Sequence, residues 1–401
     1  MLEPSKVVVV SQHYPPDSGT TASIMAKISE QLAAERPVLV LSGWAGSATH
    51  DPASSKRPVV VEIKNRLAAK GALVRRAAAE TSFTIRAFIA ALRTLRRGDV
   101  ALTVTAPFML PYAVAAAAKL KGARSALIMH DLYPDVLVMA GLLKPSSLPA
   151  KAIRAANALM FRALDAVVVI GRDTEQLLWH YGGLIPGKIR FIPNWATLSP
   201  GVRLIRADNC YRRGQSAPFL VGLSGNLGFT HDPLIVFEAA RLLRGDPDIH
   251  FLLSGWGIGF QRLKKMQSEA DLANVTLIDR VEDDHLEEFL TAANVWLIPY
   301  RKDVAGVSVP SRFYNLLAVG RPVILVSEPD AEAALTVSEH DIGWVTPPGD
   351  AAELAKTIRL AFSSEDPLRA ERAACIAARF SFAAAMGSYS AMIRELQRNA
   401  G

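Results

Sequence analysis

The sequence predicts an α/β protein with two Rossmann-like, doubly wound domains that face each other across a cleft. Three observations support this prediction. The chain has 401 residues, which exceeds one ordinary α/β core and suits two domains of about 180 to 200 residues each. Short β-branched runs alternate with helical patterns in both halves, which is typical of parallel sheets. The alternation breaks once, in the stretch 196–218.

The first predicted domain spans residues 1–195. Several of its strand candidates are continuous apolar runs, as expected for parallel strands covered on both faces. These strands are predicted at residues 6–11, 37–41, 59–63, 100–105, 125–129, 166–170 and 188–193. Helical patterns between them include residues 20–35, 107–121 and 149–164.

Residues 196–218 carry several Pro, Gly and Arg without clear periodicity, and we interpret them as the interdomain linker. The second predicted domain spans residues 219–379. Its strands are predicted at residues 219–223, 249–253, 275–278, 295–298 and 322–326. Residues 380–401 contain one more helical pattern, and we expect this helix to pack back on the first domain.

The formal net charge of +7 indicates an anionic partner without identifying it. The sequence argues against a nucleic-acid partner, because it lacks zinc-finger spacing, an RNA-binding aromatic signature and a long basic run. Cys210 and Cys375 have no metal-ligand spacing, and we expect a reducing compartment. The sequence shows neither a signal-peptide pattern nor a long uncharged apolar stretch, so we expect a cytoplasmic location.

In doubly wound sheets, ligands bind beyond the carboxyl ends of the strands. Gly19 follows the first predicted strand and begins a helix, where backbone N–H groups can approach an anion or a sugar hydroxyl. His130 and Asp131 directly follow the strand at residues 125–129. Each feature also has a purely structural interpretation. Gly19 could belong to an ordinary turn with a helix cap, and His130 could be a structural histidine whose hydrogen bonds are satisfied within the fold.

Two loops of the second domain have the same placement. Gly225 and Gly228 flank Asn226 after the first strand of that domain, which permits close backbone contact with phosphate. Ser311 and Arg312 follow Pro310 at a predicted helix start. An arginine there opposes the helix dipole, so a bound anion would explain its presence. The acidic residues at 279–288 are interpreted as helix-capping and solvated, and not as a metal site.

With these residues assembled, the sequence resembles a family-4 retaining glycosyltransferase of the GT-B fold. Within that family it is similar to bacterial surface-polysaccharide transferases of the colanic acid and O-antigen N-acetyl-L-fucosamine type. The resemblance covers most of the chain. It depends on Tyr14-Pro15-Pro16 with Gly19, His130-Asp131-Leu132-Tyr133-Pro134-Asp135, Ile192-Pro193-Asn194, Gly225-Asn226-Leu227-Gly228, Val309-Pro310-Ser311-Arg312-Phe313-Tyr314, and Ala318-Val319-Gly320-Arg321-Pro322-Val323 with Pro348-Gly349-Asp350.

The resemblance implies a UDP-linked or related nucleotide-sugar donor held by the second domain and a lipid-linked or saccharide acceptor held by the first. His130 would lie beside the reacting sugar, while Asp131 holds its loop. The Gly19 loop would lie near the donor phosphate or the acceptor. The turn at Arg280 and Val281 would bind the base through its backbone. Retaining enzymes of this fold use no metal or other cofactor.

The sequence also departs from the family pattern. An Arg and a Lys that neutralise the diphosphate correspond here to Asn226 and His231. Two family glutamates correspond to about Val307 and to Asn315. We therefore expect Arg312 to replace the diphosphate clamp and Asn315 to hydrogen-bond a ribose hydroxyl.

Two other functions stay open at this stage. The missing glutamates are compatible with an inactive, donor-binding partner subunit, and they count against a sugar-nucleotide 2-epimerase.

A further expectation concerns the basic stretch 64–97, in which arginines and lysines alternate with apolar residues. Two helices of that composition could dock on an anionic membrane, although solvated packing helices would have the same pattern. The members are Lys64, Arg66, Lys70, Arg75, Arg76, Arg86, Arg93, Arg96 and Arg97.

Overall fold

The structure, a computed structural model, describes residues 5–17, 19–43, 56–64, 73–139, 141–364 and 366–399. The described chain forms two separate sheets, of seven and six strands, and every pairing between strands is parallel. Helices lie between successive strands in both halves. The predicted fold class is confirmed.

The strands of the first sheet are β1 (Val7–Ser11), β2 (Val38–Ser42), β3 (Val59–Glu62), β4 (Val100–Val104), β5 (Arg124–Met129), β6 (Ala166–Val169) and β7 (Ile189–Phe191). Their order is β3-β2-β1-β4-β5-β6-β7. The accompanying helices are α1 (Thr20–Ala33), α2 (Leu73–Thr94), α3 (Leu110–Lys121), α4 (Asp135–Met139), α5 (Leu148–Ala163) and α6 (Arg172–Trp179). Because β1, β4 and β5 are neighbours, the loops that follow them share one edge of the sheet.

The strands of the second sheet are β8 (Phe219–Asn226), β9 (Ile249–Trp256), β10 (Val275–Ile278), β11 (Val295–Pro299), β12 (Val323–Val326) and β13 (Gly343–Thr346). Their order is β10-β9-β8-β11-β12-β13. The helices are α7 (Pro233–Leu242), α8 (Ile258–Ala270), α9 (Leu286–Leu290), α10 (Ser311–Ala318), α11 (Glu332–His340), α12 (Ala351–Ser363) and α13 (Leu368–Ala377). The short strand β13 was not predicted from the sequence.

Strands β8 and β9 are longer than the sequence predicts. Gly225 and Asn226 were expected in a loop, but the ladder continues to the pair Asn226 and Trp256. The continuation needs glycine, because a Cβ atom on Gly255 would lie 2.3 Å from the carbonyl oxygen of Gly225. The glycines therefore bring the two strand ends together, at the edge where a ligand is expected.

The last helix, α14 (Phe382–Arg398), returns to the first domain. Its Met386, Tyr389 and Ile393 are buried in one cluster with Val9 and Val104 of the first sheet. The chain thus passes from the second domain back to the first. Among the described residues, no helix has the length and hydropathy needed to cross a bilayer.

Candidate functional site

A cleft of about 370 Å³ opens at the carboxyl ends of the second-sheet strands β8, β9 and β11. We call it the Arg312 cleft. Thr20, at the start of α1, is the first-domain residue in its wall. The other lining residues are Leu223, Ser224, Gly225, Asn226, Leu227, Gly228, Thr230, His231, Trp256, Leu297, Ile298, Pro299, Tyr300, Ser308, Val309, Pro310, Ser311 and Arg312. The structure therefore brings together five predicted donor-binding residues, namely Gly225, Asn226, Gly228, Ser311 and Arg312.

Arg312 lies in the first turn of α10 and points its guanidinium group back over the end of β8. Its Nη1 atom donates a hydrogen bond to the hydroxyl of Ser224. The guanidinium carbon lies 5.3 Å from the centre of the Trp256 ring. Gly225 has a φ of +136°, and a Cβ atom there would lie 3.1 Å from that guanidinium carbon. Glycine is needed at this position both for its backbone conformation and for the space that Arg312 occupies.

The positive charge of Arg312 has no ion-pair partner within 4.0 Å among the described residues. Burial, followed by the nearby positive charge of Arg280, lowers the pKa of Arg312 to about 10. The group is still protonated at neutral pH. A partly buried cation without a counterion is costly, so the charge of this cleft suits an anionic ligand.

His231, which takes the place of the family's diphosphate-neutralising Lys, is in the same wall. Its ring lies 5.1 Å from the ring of Tyr300, and its Nδ1 atom is 3.0 Å from the Thr230 hydroxyl. Burial, followed by the charges of Arg312 and Arg301, lowers the pKa of His231 to about 4. The imidazole is therefore neutral at pH 7 in the unliganded cleft and adds hydrogen bonding without charge.

His130 and Asp131 follow β5 and are held by the end of β4. The Thr105 hydroxyl accepts hydrogen bonds from the backbone N–H groups of His130, at 3.3 Å, and Asp131, at 3.2 Å. The His130 Nε2 atom is enclosed and has no hydrogen-bond partner among the described residues. Burial lowers the pKa of His130 to about 4 and raises the pKa of Asp131. Neither residue is in the described wall of the Arg312 cleft.

Gly19 is placed as expected at the start of α1, but its N–H group is already used. It donates to Oδ1 of Asp17 at 2.9 Å, while Oδ2 of Asp17 lies 2.6 Å from His13 Nδ1. The expectation that the Gly19 loop approaches a ligand stays a prediction, and it requires the Gly19 N–H to exchange its bond to Asp17. The neighbouring Thr20 reaches the cleft.

The turn at Arg280 and Val281 is placed beside the cleft and not in its wall. The guanidinium carbon of Arg280 lies 4.8 Å from the centre of the Trp256 ring. Val281 packs partly against the core of the second domain. The indole of Trp256 thus separates this turn from the residues that line the cleft. Trp256 was not among the site residues predicted from the sequence.

Asn315 makes contacts with the linker that the sequence did not predict. Its amide oxygen accepts hydrogen bonds from the backbone N–H groups of Thr197, at 2.7 Å, and Leu198, at 3.2 Å, and from the Thr197 hydroxyl at 3.2 Å. Its Nδ2 atom donates to the Thr197 hydroxyl at 3.0 Å. The linker uses the amide oxygen and one of the two Nδ2 hydrogens of Asn315, so the bond to a ribose hydroxyl stays a prediction that would use the second hydrogen. Asn315 ties α10 to the linker.

The charged and polar side chains of the described residues indicate which kind of ligand the cleft suits. No group of three or more His, Cys, Asp or Glu side chains in the described chain is arranged to hold a metal ion. The cleft's charge comes from arginine. Arginine with neutral hydrogen-bond donors suits a phosphate-bearing ligand.

Comparison with known proteins gives matches in both halves of the chain. Residues 24–199 match the domain family described as Glycosyltransferase Family 4. Residues 214–378 match the one described as Glycosyl transferases group 1.

Two curated relatives are similar over part of their length. WbjE of Pseudomonas aeruginosa, whose name calls it a glycosyltransferase, is 29% identical over 273 residues, which is 66% of this chain and 66% of that protein. WcaI of Escherichia coli K12, whose name assigns it to colanic acid biosynthesis, is 29% identical over 218 residues, 53% of each chain. The chain therefore matches about two thirds of one relative and about half of the other.

Solved structures share the fold over nearly the whole chain. Sucrose-phosphate synthase from Thermosynechococcus elongatus has a TM-score of 0.73 at 18% identity, covering 99% of this chain and 100% of that one. HepE of Anabaena in complex with UDP has a TM-score of 0.67 at 16% identity, covering 97% and 100%. WaaG, a glycosyltransferase involved in lipopolysaccharide biosynthesis, has a TM-score of 0.66 at 14% identity, covering 97% and 99%. At these identities the likeness establishes the two-domain fold.

Proposed function

The chain belongs to the glycosyltransferases, with a Family 4 domain followed by a group 1 domain, and on that basis we propose that it transfers a sugar from a nucleoside-diphosphate donor to an acceptor hydroxyl. The donor is UDP-linked and the acceptor is lipid-linked or a saccharide. The anomeric configuration is retained, and the product belongs to a bacterial surface polysaccharide.

The observation that carries this proposal is the uncompensated charge of Arg312 in the cleft. A donor diphosphate would supply the missing counterion. The N-terminus of α10 and the Arg312 fork would then face the same group, and both favour negative charge. That HepE was solved with UDP supports a uridine nucleotide, and the name of WcaI supports a polysaccharide product.

In the proposed reaction, the acceptor oxygen forms a bond to the anomeric carbon as the bond from that carbon to the diphosphate oxygen breaks. The diphosphate leaves with the electron pair, and the hydroxyl proton passes to it. Arg312 stabilises the negative charge that develops on the leaving group, which is where preorganised charge contributes most to the rate. No metal is required for this step.

His130 is proposed to lie beside the transferred sugar, with Asp131 holding the loop. Because burial keeps the imidazole of His130 neutral, we assign it hydrogen bonding to the sugar and not proton abstraction. His130→Ala should lower turnover more than nucleotide affinity. A variant that loses nucleotide affinity while keeping its turnover at saturating donor would contradict this role.

The test of the proposed function is product formation from labelled nucleotide sugars and a lipid-diphosphate acceptor. A thermal-shift screen of nucleotide sugars selects the donor first, since a ligand at 100 times its dissociation constant adds about 2.7 kcal/mol of stability. A donor that binds without any transfer, across the acceptor panel, would favour the alternative of an inactive donor-binding subunit. The absence of carboxylates at Val307 and Asn315 is the observation in favour of that alternative.

The cellular location is a further part of the proposal. We place the protein in the cytoplasm, docked on the inner face of the membrane where a lipid-linked acceptor is exposed. The structure describes one helix in the basic stretch, α2, which exposes Ile85 and Ile89 together with Arg75, Arg86 and Arg93. Arg66 and Lys70 lie outside the described residues, as does the side chain of Arg76.

A further inference from the structure

Trp256 ends β9 and holds two positively charged side chains against one ring. The guanidinium carbons of Arg280 and Arg312 lie 4.8 Å and 5.3 Å from its centre. The backbone of Trp256 is fixed, because its carbonyl oxygen accepts a 2.9 Å hydrogen bond from Leu227 N–H and its residue pairs with Asn226 across the ladder. This backbone position places the indole in the wall of the Arg312 cleft.

Among the described residues, the groups in direct contact with the Arg312 guanidinium are uncharged. They are the Ser224 hydroxyl, the backbone at Gly225 and the Trp256 ring. A buried arginine is more often held by a carboxylate, which would cancel its charge. An aromatic face attracts a cation through its quadrupole and leaves the net charge intact. This arrangement orients the arginine and keeps its charge available to a ligand.

We propose that Trp256 is a positioning residue for the donor site, which orients Arg312 toward the donor diphosphate and keeps Arg280 close as a second, unneutralised cation. The inference rests on the proposed function, because it takes the diphosphate as the ligand. Trp256 itself contributes no charge and needs no contact with the donor.

The two arginines influence each other, which supports the placement of Arg280. After burial, the positive charge of Arg280 is the next cause of the lowered pKa of Arg312, while Asp283 acts in the opposite direction. Like charges at one ring repel each other. A diphosphate carries at least two negative charges and would relieve that repulsion, so binding one anion satisfies both side chains.

The second domain contains a matched pair outside the cleft. The guanidinium carbon of Arg369 lies 4.4 Å from the centre of the Trp344 ring, on β13. Trp344→Leu therefore removes a cation–π contact of the same kind without touching the wall of the Arg312 cleft. It serves as the control for general loss of stability.

The experiment uses the full chain and isothermal titration. The probe is the nucleoside diphosphate that wild type binds most tightly among UDP, GDP and ADP, together with the monophosphate and the nucleoside of the same base. We expect Trp256→Leu to weaken diphosphate binding by about 2- to 30-fold, the range of exposed to desolvated cation–π contacts. Nucleoside affinity should stay unchanged, Trp256→Phe should lie between wild type and Trp256→Leu, and Trp344→Leu should match wild type.

A double-mutant cycle separates positioning from direct contact. In the Arg312→Ala background, Trp256→Leu should have little further effect, because the side chain that it orients is gone. Unchanged diphosphate affinity in a folded Trp256→Leu variant would overturn the inference. So would an equal loss for nucleoside and diphosphate, which would mean that the indole contacts the base. A wild-type protein that binds none of the three diphosphates would reject the proposed function itself.

Discussion

The carboxylate of Asp173, in the first domain, accepts a hydrogen bond of 2.8 Å from the backbone N–H of Gly306, in the second. The same Oδ2 atom accepts a 2.9 Å bond from Glu332 N–H, and Asp173 is only 6% exposed. Gly306 begins the segment that leads into α10, which carries Arg312. The contact between the domains therefore holds the segment that positions the cleft's cation.

Asp173→Ala should lower the free energy of unfolding by about 2 to 4 kcal/mol, because it leaves the buried N–H groups of Thr174, Gly306 and Glu332 without their acceptor. Donor affinity should also fall, since the Gly306 segment loses its anchor. Urea unfolding and donor titration measure the two effects. The control is Glu339→Gln, which breaks only the exposed half of the Arg172 ion pairs and should cost less than about 1 kcal/mol. Equal effects of the two substitutions would contradict the assignment.

Arg312→Ala should weaken donor binding by about 1.5 to 3 kcal/mol, the range of a hydrogen bond to a charged group. Arg312→Lys should recover part of this affinity, because it restores the charge without the two-pronged geometry of the guanidinium. Titration with the donor nucleotide measures both variants. Because the described groups in direct contact with the Arg312 guanidinium are uncharged, folding stability should change little. Unchanged donor affinity in a folded Arg312→Ala protein would exclude the role.

Stability should fall as the pH is lowered from about 6.5 toward 4. His130 and His231 have pKa values near 4 in the fold, below the ordinary value of 6.5. The unfolded chain then binds more protons in that window, so their contribution is complete above pH 6.5 and is lost below it. At pH 5 each histidine should account for about 1 to 2 kcal/mol. Urea midpoints at pH 7 and pH 5 should differ less in His130→Asn and His231→Asn than in wild type. Equal pH dependence in all three proteins would refute the prediction.

Asn315→Ala should reduce stability more than it reduces the affinity for the donor. The substitution removes the acceptor for two linker N–H groups and the Thr197 hydroxyl, at a cost of about 1 to 3 kcal/mol. Asn315→Asp keeps the acceptor oxygen and should be the milder change. Urea unfolding compared with donor titration decides between the roles. If Asn315→Ala loses donor affinity at unchanged stability, the result would support the ribose contact that the sequence predicts.

The elements were predictable where burial alone determines the pattern. Apolar runs such as Val7–Val10 are covered on both faces by helices, so their positions followed directly from the sequence. Residues 172–179, which form α6, were missed because the helix is short and only partly apolar. The strand β13 was missed because it has only four residues and begins with a glycine.

The site was predictable only at the level of which loops meet. Arg312 was identified because a positive side chain at the start of a helix opposes the helix dipole, and a bound anion would offset that cost. The partners of Arg312 depend on the register between β8 and β9 and on long-range packing, which no local pattern encodes. This register and this packing bring Trp256 and Ser224 into the wall of the cleft. Asn315 binds Thr197, a residue 118 positions away, and no local pattern predicted that contact.

The final prediction concerns docking through α2. Arg75 and Arg93 are exposed on the same helix as Ile85 and Ile89, whose side chains are 55% and 42% exposed. Near an anionic surface each basic residue contributes about 1 kcal/mol, and salt screens this attraction over about 10 Å at 0.1 M. Co-sedimentation with vesicles should therefore require anionic lipid and decrease as salt is added. Arg75→Glu with Arg93→Glu should abolish it, since the charge of the helix is reversed. The control is Arg262→Glu with Lys265→Glu on α8, an equal change of charge in the second domain, which should leave binding intact. Equal recovery with neutral and anionic vesicles, or equal losses in both double variants, would reject electrostatic docking by this helix.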